Sequence, residues 1–228
     1  MTAKPGNNKK NSFSSPPVDR HRIVDAALEL LEAEGLDQMS MRRLADRLGV
    51  RAASLYWHIK DKGELLQLLA ESICERIALP EPGLRWQEQV LAVAGNYRQV
   101  LLSIRDSEKI LLNTPPATPR RFALIEATFR VFADAGFSPA EVAWAAALIN
   151  NYVLAFVADE AHFFYAARAQ GKSVAELLAD ARSAFSGMAE QYPVFSSLAD
   201  YATDADMDRQ FAFGLYVILD GLAVRLKQ

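Results

Sequence analysis

The chain has 228 residues, of which 51% are hydrophobic and 23% are charged, and its formal net charge is -3. A mean hydropathy near zero excludes a chain that is disordered throughout and favours a globular protein with one or two cores. The sequence has one cysteine and three widely separated histidines, so we expect no internal disulfide, no metal site and no cofactor.

The first 18 residues are expected to form a flexible tail. Thirteen of them are Asn, Lys, Ser, Pro or Gly, so the segment lacks the apolar groups that would offset the entropy of ordering. It has no apolar stretch typical of a secretory signal, and no run of about 18 uncharged apolar residues occurs in the chain. The sequence therefore predicts a cytoplasmic protein with no membrane partner.

Beyond the tail, apolar residues repeat with helical spacing almost everywhere, which predicts an all-α fold. A first helix over about 19–34 ends at Gly35, a residue suited to the C-terminal end of a helix. A short second helix follows, with Ser40 as its N-terminal cap and Gly49 as its stop.

A tight turn after the second helix leads into a third short helix, predicted over 52–59. Asp61 and Glu64 then occupy the capping positions of a fourth helix over about 62–78. Pro80 and the following Pro and Gly residues interrupt this pattern, and the helices beyond them are longer. We therefore expect a tail (1–18), a first helical domain (19–62), a connecting helix (63–79) and a larger domain (80–228).

Two helices of the larger domain are apolar on most sides. Ser138, Pro139 and Glu141 begin a long helix that runs to about 167, and the last helix, about 205–227, carries Gly214 and Gly221 on one face. A domain of this size rarely covers such helices completely, so a partner chain is the simplest cover. The alternative is a monomer in which these helices are buried and the glycines are incidental.

The charge is distributed unevenly along the chain. Residues 1–62 hold 11 basic and 8 acidic side chains, whereas residues 63–228 hold 14 and 20. Within 39–62 the excess sharpens to six basic against two acidic residues, a local patch that attracts phosphates despite a low isoelectric point. A solvated helix face is the alternative interpretation of this patch.

Residues 40–58 have the pattern of a helix-turn-helix, two short helices about a turn that contains glycine. Its apolar residues should pack against the first helix and leave an outward set, Ala52, Ala53, Ser54, Tyr56, Trp57 and His58. An α-helix fits the major groove of DNA, where Arg pairs with guanine and Ala contacts the thymine methyl group. The candidate contacts to phosphates and base edges around it are Arg42, Arg43, Tyr56, His58, Lys60 and Lys62. Helical hairpins with no role in DNA binding share this pattern.

The residue identities in this region point to a family more specifically than the helix-turn-helix spacing does. It reads Ala26-Ala27-Leu28-Glu29-Leu30-Leu31, Met41-Arg42-Arg43-Leu44-Ala45, Leu48-Gly49-Val50 and Leu55-Tyr56-Trp57-His58. With these residues, the stretch 20–69 resembles the DNA-binding domain of TetR-type (tetracycline repressor family) transcriptional regulators. The resemblance continues through Trp86-Gln87, Arg105-Asp106 and Phe213-Gly214-Leu215 to nearly the end of the chain, and it is to the tetracycline-repressor type of C-terminal domain.

This resemblance implies a homodimer whose two long helices form a four-helix interface and hold two helix-turn-helix domains over a palindromic operator. It also implies a pocket for a small-molecule inducer in each larger domain. Binding of the inducer would move the fourth helix, separate the two DNA-binding domains and release the DNA. The expected function is therefore a ligand-responsive repressor.

The resemblance also implies roles for individual residues. Arg42 matches a base-reading arginine, and Tyr56, His58 and Lys62 match positions that contact the DNA backbone. Tetracycline repressors have Gln, Pro and Thr at the three positions where this chain has Ala52-Ala53-Ser54, so we expect a different operator sequence.

The ligand pocket resembles that of tetracycline repressors less closely than the DNA-binding residues do. Histidines that tetracycline binders need are replaced by Leu111 and Ala78, so magnesium–tetracycline is not the expected ligand. The residues expected to line the pocket are Tyr97, Thr114, Thr128, Asn151, Phe156 and Asp159. Ordinary packing or surface positions remain an alternative for each of them, and Asn150 and Asn151 have a hydrogen bond across a dimer as another.

Two further functions fit the sequence less well. An enzyme or small-molecule carrier on the same fold could use Asp159, Glu160 and His162, which lie within one helical turn. However, we find no nucleophile arrangement, metal set or phosphate loop and predict no catalytic residue. The other alternative is a dimeric regulator without an inducer, which responds to a protein partner or acts constitutively.

Overall fold

The computed structural model describes residues 18–226, and this part of the chain is helical with no strand, which confirms the all-α prediction. Residues 1–17, most of the predicted tail, lie outside the described residues. The helices are α1 (Arg20–Glu34), α2 (Met41–Leu48), α3 (Ala52–Leu55), α4 (Lys62–Glu75), α5 (Trp86–Leu102), α6 (Ser107–Asn113), α7 (Pro119–Asp134), α8 (Pro139–Ala169), α9 (Val174–Ser186), α10 (Pro193–Ser197), α11 (Ala199–Ala202) and α12 (Met207–Arg225).

The first three helices form a small head around one apolar core. The Asp19 carboxylate accepts a hydrogen bond from Arg22 N (2.9 Å) at the start of α1, and Ser40 Oγ accepts one from Arg43 N (3.3 Å) at the start of α2. Gly49 ends α2 in the left-handed conformation, at φ 70°, which glycine adopts without strain. The buried residues of this head include Ile23, Ala27, Leu30, Leu31, Leu44, Ala45, Leu48 and Leu55.

The third helix is shorter than predicted. It ends at Leu55 rather than Ile59, because the backbone N–H groups of His58 and Ile59 both donate to the Leu55 carbonyl, at 2.9 and 3.1 Å. This tightened turn buries Leu55 and Ile59 together. Residues 56–58 are consequently held on the outer side of the head.

The fourth helix joins the head to the body of the molecule. Asp61 caps α4 by accepting a hydrogen bond from Glu64 N at 2.9 Å, as predicted, and the face with Leu65 and Leu69 is buried. α4 ends at Glu75, short of the predicted end at about residue 78, because the chain tightens there into a turn.

The body is built on α5, α7 and α8. Trp86, Phe132 and Phe137 form an aromatic cluster with ring centroids 6.0, 5.5 and 5.6 Å apart, in the tilted and edge-to-face arrangements that aromatic pairs favour. Ser138 and Glu141 form the predicted capping box at the start of α8. The sequence did not predict α6, α10 and α11, since helices of seven, five and four residues are too short to show a repeating apolar pattern.

The glycines of the last helix have different surroundings from those we expected. A Cβ atom at Gly214 would lie 2.8 Å from two ring carbons of Tyr152, whose hydroxyl donates to the Phe211 carbonyl at 2.8 Å. The close approach at Gly214 is therefore between α8 and α12 of the same chain. Gly221 is exposed, and a Cβ atom there would meet no described residue within 4 Å outside its own helix backbone.

Among the described residues, α8 is the one helix that is long and apolar enough to cross a membrane by length and composition. A core helix passes the same test, and α8 packs against α5, α7, α9 and α12. Its apolar character is therefore weak evidence for a membrane partner.

Candidate nucleic-acid interface and ligand cavity

Two aromatic side chains project from the outer side of the head. Trp57 is 89% exposed and Tyr56 is 52% exposed, directly after α3, while Ala53 and Ser54 are exposed on α3 itself. Ala52 and His58 are half-buried. The outward set predicted from the sequence thus lies largely at the surface of the head, where residues 18–226 leave the large apolar surface of Trp57 uncovered.

The segment around Tyr56 and Trp57, which we call the tip of the head, also carries basic side chains, but not all of them are free to bind an anion. Arg42, Lys60 and Lys62 are exposed and make no ion pair with any residue in 18–226. Arg43 is paired with Glu34, and Arg47 is paired with Glu29 at 2.9 Å. Because exposed pairs of this kind contribute about 1 kcal/mol or less, Arg43 can exchange its carboxylate for a phosphate at small cost.

A largely apolar cavity of about 290 Å³ lies in the body between α4, α5, α7 and α8. We call it the inner cavity. Its apolar lining includes Val90, Val93, Ala94, Leu111, Leu124 and Phe129, and its polar lining includes Tyr97, Arg121, Thr128 and Asn150. Apolar walls with a few placed polar groups are typical of sites for small organic molecules.

The polar groups of the inner cavity are held in fixed positions. The Tyr97 hydroxyl donates to Asn150 Oδ1 at 3.3 Å, and burial raises the pKa of Tyr97 far above its ordinary value. Arg121 donates to the carbonyl oxygens of Thr114 and Leu111, each at 2.8 Å. Arg121 has no carboxylate partner among the described residues, so its positive charge is available to a ligand.

Cys74 also lines the inner cavity. It is buried on α4, and desolvation raises the pKa of its thiol to about 11. At neutral pH the thiol is therefore protonated and acts as a small apolar side chain.

The inner cavity is connected to α4 by reciprocal capping between α4 and α7. Glu71 accepts hydrogen bonds from Arg120 N at 2.9 and 3.2 Å at the start of α7. The Arg120 guanidinium donates to the carbonyl oxygens of Cys74 (3.2 Å) and Ile77 (2.5 Å) at the end of α4. Each helix thus donates a hydrogen bond to, or accepts one from, the backbone at the end of the other, next to the cavity residue Arg121.

A second contact joins the head and the body at the end of α1. Arg105 donates to the carbonyl oxygens of Glu32 (3.0 Å) and Ala33 (3.4 Å), and Asp106 accepts a hydrogen bond from Leu36 N at 2.8 Å. Asp106 has a positive φ of 55°, a conformation that Asp tolerates better than most residues. Gly35 has a φ of 80°, a conformation that glycine adopts without strain and other residues rarely adopt.

Comparison with known families matches both parts of the chain. The family described as bacterial regulatory proteins, tetR family, matches residues 23–69. The family described as tetracyclin repressor-like, C-terminal domain, matches residues 79–226. The chain belongs to the TetR family. The resemblance inferred from the sequence is thereby confirmed, and the chain is a transcriptional regulator of that family.

Two relatives are similar in sequence to this protein over nearly its whole length. A protein of Saccharopolyspora erythraea named HTH-type transcriptional regulator is 32% identical over 217 residues, which are 94% of this chain and 89% of the relative. The tetracycline repressor protein class A from transposon 1721 of Escherichia coli is 32% identical over 206 residues, 89% of each chain.

Solved structures of TetR proteins share the fold. ActR of Streptomyces coelicolor in complex with actinorhodin is 32% identical, with a TM-score of 0.80, and the match covers 91% of this chain and 96% of that one. BioQ with its double-stranded DNA operator is 27% identical, with a TM-score of 0.65 and coverage of 91% and 99%.

The structure brings some of the predicted pocket residues of this TetR protein together and separates others. Tyr97 and Thr128 line the inner cavity, and Thr114 is buried beside it, where its hydroxyl and carbonyl hold Arg121. Asn151, Phe156 and Asp159 do not line the inner cavity.

The three separated residues lie on other faces of α8. Asn151 is exposed, because successive residues of a helix point about 100° apart and Asn150 is the one turned to the cavity. Phe156 packs against Tyr152 and Phe211, and Asp159 is exposed. Arg121 and Asn150 are cavity residues that were not among the predicted ones, since a helical pattern does not fix which of two adjacent asparagines turns inward.

The three polar residues of α8 that suggested acid–base chemistry, Asp159, Glu160 and His162, have different surroundings in the structure. Both carboxylate oxygens of Glu160 accept hydrogen bonds from Arg98 at 2.9 Å, and Arg98 also donates to Asp208 at 2.6 Å. Asp159 and His162 are exposed. The TetR chain thus uses Glu160 in a buried ion pair between α5 and α8.

A strip of exposed apolar side chains runs along the other face of α8 and along α12. It comprises Trp144, Leu148, Phe213, Tyr216, Val217 and Val224. We call it the apolar strip. Its most exposed members, Phe213 at 72% and Trp144 at 68%, lie on the two helices that the sequence marked as needing cover. These helices pack against each other, and large exposed apolar side chains on neighbouring helices are typical of a subunit interface.

Proposed function

We propose that this TetR protein is a dimeric repressor that binds a palindromic operator and is released by a small molecule bound in the inner cavity. The observation that carries the proposal is the outer side of the head, where the exposed Tyr56 and Trp57 accompany basic side chains that make no ion pair within residues 18–226. We place the protein in the cytoplasm, where its operator would lie, and assign it no catalytic role.

Each part of the chain has a role in this proposal. Residues 19–62 read DNA, residues 63–79 connect, and residues 80–228 bind the ligand and dimerise. On the head, Arg42 reads a base edge, while Ala52, Ala53 and Ser54 enter the major groove. The phosphate and rim contacts are Arg43, Tyr56, Trp57, His58, Lys60 and Lys62.

The apolar strip is the surface on which the second copy packs. α8 and α12 of two chains would form a four-helix interface that buries Trp144 and Phe213 and fixes the distance between the two heads. Because a two-fold dimer presents two identical heads to the DNA, its operator should be an inverted repeat.

The proposed inducer is a mainly apolar molecule with a hydrogen-bond acceptor or a negative charge. Apolar walls would take its body, and Arg121 would bind the acceptor, since this guanidinium is already aligned by the Leu111 and Thr114 carbonyls. Magnesium–tetracycline is not the proposed ligand, because no histidine occupies position 111 or 78.

The reciprocal caps between α4 and α7 give the ligand a route to the head. A ligand that binds Arg121 and shifts it would move the first turn of α7, and Arg120 in that turn is bonded to the end of α4. A shift of α4 then changes the position of the head relative to the head of the second copy.

The proposal is tested by an electrophoretic shift assay against DNA from around the protein's own coding region. At about 150 mM salt, where binding through phosphates alone weakens steeply, we expect a complex with one DNA fragment that unrelated DNA does not displace. Equal displacement by any DNA would contradict the proposal. A thermal-shift screen that finds no stabilising compound would instead favour a regulator without an inducer.

A further inference from the structure

A second cavity, of about 470 Å³, shares no lining residue with the inner cavity. It lies between the end of α5, the second half of α8 and the start of α12. Five carboxylates face two guanidinium groups in its lining, namely Asp106, Glu108, Glu160, Asp206 and Asp208 against Arg98 and Arg105. We call it the acidic cavity.

Most of these charges already have partners within the chain. Arg98 is bonded to both Glu160 and Asp208. Asp106 is bonded to Lys109 at 2.6 Å and to a backbone N–H of the head. Asp206 caps α12 by accepting a hydrogen bond from Arg209 N.

The guanidinium of Arg105 is also occupied. It donates to the carbonyl oxygens at the end of α1 and lies over the ring of Tyr165, 5.0 Å from its centroid. Arg105 also lies within ion-pair distance of Asp106, at 3.9 Å, and forms no ion pair with the remaining carboxylate of the cavity, that of Glu108.

Glu108 is the exception among these charges. It is only 3% exposed, and no lysine, arginine or histidine of residues 18–226 lies within ion-pair distance of it. Burial raises the pKa of Glu108 above its ordinary value and Asp106 adds to this, while a hydrogen bond from its own backbone N–H and the charge of Lys109 oppose the shift. A buried carboxylate without a cationic partner is costly, and a bound cation would remove that cost.

The lining selects the kind of cation. A carboxylate binds most strongly to a charged group that donates hydrogen bonds, which favours a protonated amine over a quaternary ammonium. The rest of the lining is apolar and includes Leu101, Val157 and Phe164, which suits a hydrocarbon or aromatic body.

We propose that the acidic cavity is a second ligand site, separate from the inducer cavity, that binds a protonated organic amine through an ion pair with Glu108. The apolar part of the amine packs against Phe164. The site requires neither operator DNA nor an inducer, so it can be tested apart from the function proposed above.

The test is titration calorimetry of the full-length protein with 2-phenylethylamine, and with 2-phenylethanol as an uncharged molecule of the same shape. We expect the amine to bind the unaltered protein and the alcohol to bind at least about tenfold more weakly. Glu108→Gln keeps the size of the side chain and should weaken amine binding by a similar factor. Glu126→Gln, on the exposed face of α7, is the matched control and should bind as the unaltered protein does.

A second variant keeps the test decisive if Glu108→Gln does not fold. Phe164 is half exposed, so Phe164→Ala should fold normally and bind the amine several-fold more weakly. The proposal is overturned if the unaltered protein does not bind the amine, or if the alcohol or the Glu108→Gln variant binds equally well. Loss of binding in Tyr97→Phe with full binding in Glu108→Gln would place the amine in the inner cavity and also overturn it.

Discussion

Arg42 and Lys62 are both exposed and make no ion pair with the described part of the chain, yet they occupy different places on the head. Arg42 lies in the first turn of α2, beside the helix that would enter the groove. Lys62 is the first residue of α4, beyond the turn that follows α3. A guanidinium can bind a guanine edge through two hydrogen bonds, whereas an ammonium at the rim interacts with phosphates as a point charge.

Substitution should separate these two roles. Arg42→Ala should relax the sequence preference at one operator position, with a loss of about 1–3 kcal/mol for the preferred base. Lys62→Ala should weaken binding to all sequences and reduce the slope of log affinity against log salt by about one. Affinities for single-base operator variants across a salt series measure both effects, with Arg130→Ala on α7 as control. Identical behaviour of the two variants would contradict the assigned roles.

Cys74 gives a second prediction for a single side chain. Because burial raises the pKa of this thiol to about 11, the reactive thiolate is roughly one part in a thousand at pH 8. We expect iodoacetamide to modify the native protein far more slowly than the urea-unfolded protein, and a ligand in the inner cavity to slow it further. Mass spectrometry reads the result without ambiguity since the chain has one cysteine. Native and unfolded protein reacting at equal rates would show that Cys74 is not buried.

At the scale of helices, one arginine and one glutamate hydrogen-bond the adjoining ends of α4 and α7. Arg120 bonds two carbonyl oxygens at the end of α4, and Glu71 bonds the first turn of α7. These groups replace the water that would otherwise satisfy both helix ends.

Loss of this capping should be measurable as a loss of stability. Arg120→Ala should lower the free energy of unfolding by about 1–3 kcal/mol, since it leaves two carbonyl oxygens without their charged donor. Arg130→Ala removes only an exposed pair with Glu126 and should change it by less than about 0.5 kcal/mol. Urea denaturation at one fixed protein concentration measures both. Equal stability of the two variants would mean that the caps contribute nothing.

Helix boundaries that depend on local signals were predictable from the sequence. Ser40, Asp61 and Ser138 mark the starts of α2, α4 and α8 because a capping side chain acts within three residues. The end of α4 was not predictable, because Arg120, which bonds the Cys74 carbonyl near that end, lies far along the chain.

The residues of the functional sites likewise include some that the local sequence predicts and others that depend on tertiary packing. The exposed tip after α3 follows from the local pattern of apolar residues, whereas Arg121 in the inner cavity depends on the tertiary packing of α7. The choice of Asn150 over Asn151, and the isolation of Glu108 in the acidic cavity, likewise depend on how distant helices pack.

At the scale of the whole molecule, the apolar strip on α8 and α12 needs a partner surface. Phe213 and Trp144 are exposed in the single chain, while Gly214, beside Phe213, is already packed against Tyr152. The glycine brings α12 close to α8 within one chain, and the phenylalanine faces outward to the second copy.

A charge in this strip should prevent dimerisation. Phe213→Asp would bury an unpaired carboxylate from each chain, at a cost on the order of several kcal/mol per ion. We expect a folded monomer in sedimentation velocity that no longer binds the operator at concentrations where the unaltered protein does. Phe122→Asp, at an exposed phenylalanine of α7, is the control and should remain a dimer. A dimeric Phe213→Asp variant would place the interface elsewhere.

The measurement that tests the central claim most directly is a selection of bound sites from random DNA by the full-length protein. A dimer with two outward heads should enrich an inverted repeat whose half-site centres are about 10 base pairs apart, or a multiple of that spacing. Phe213→Asp should not enrich it. A single unrepeated motif, or no enriched motif, would contradict the account.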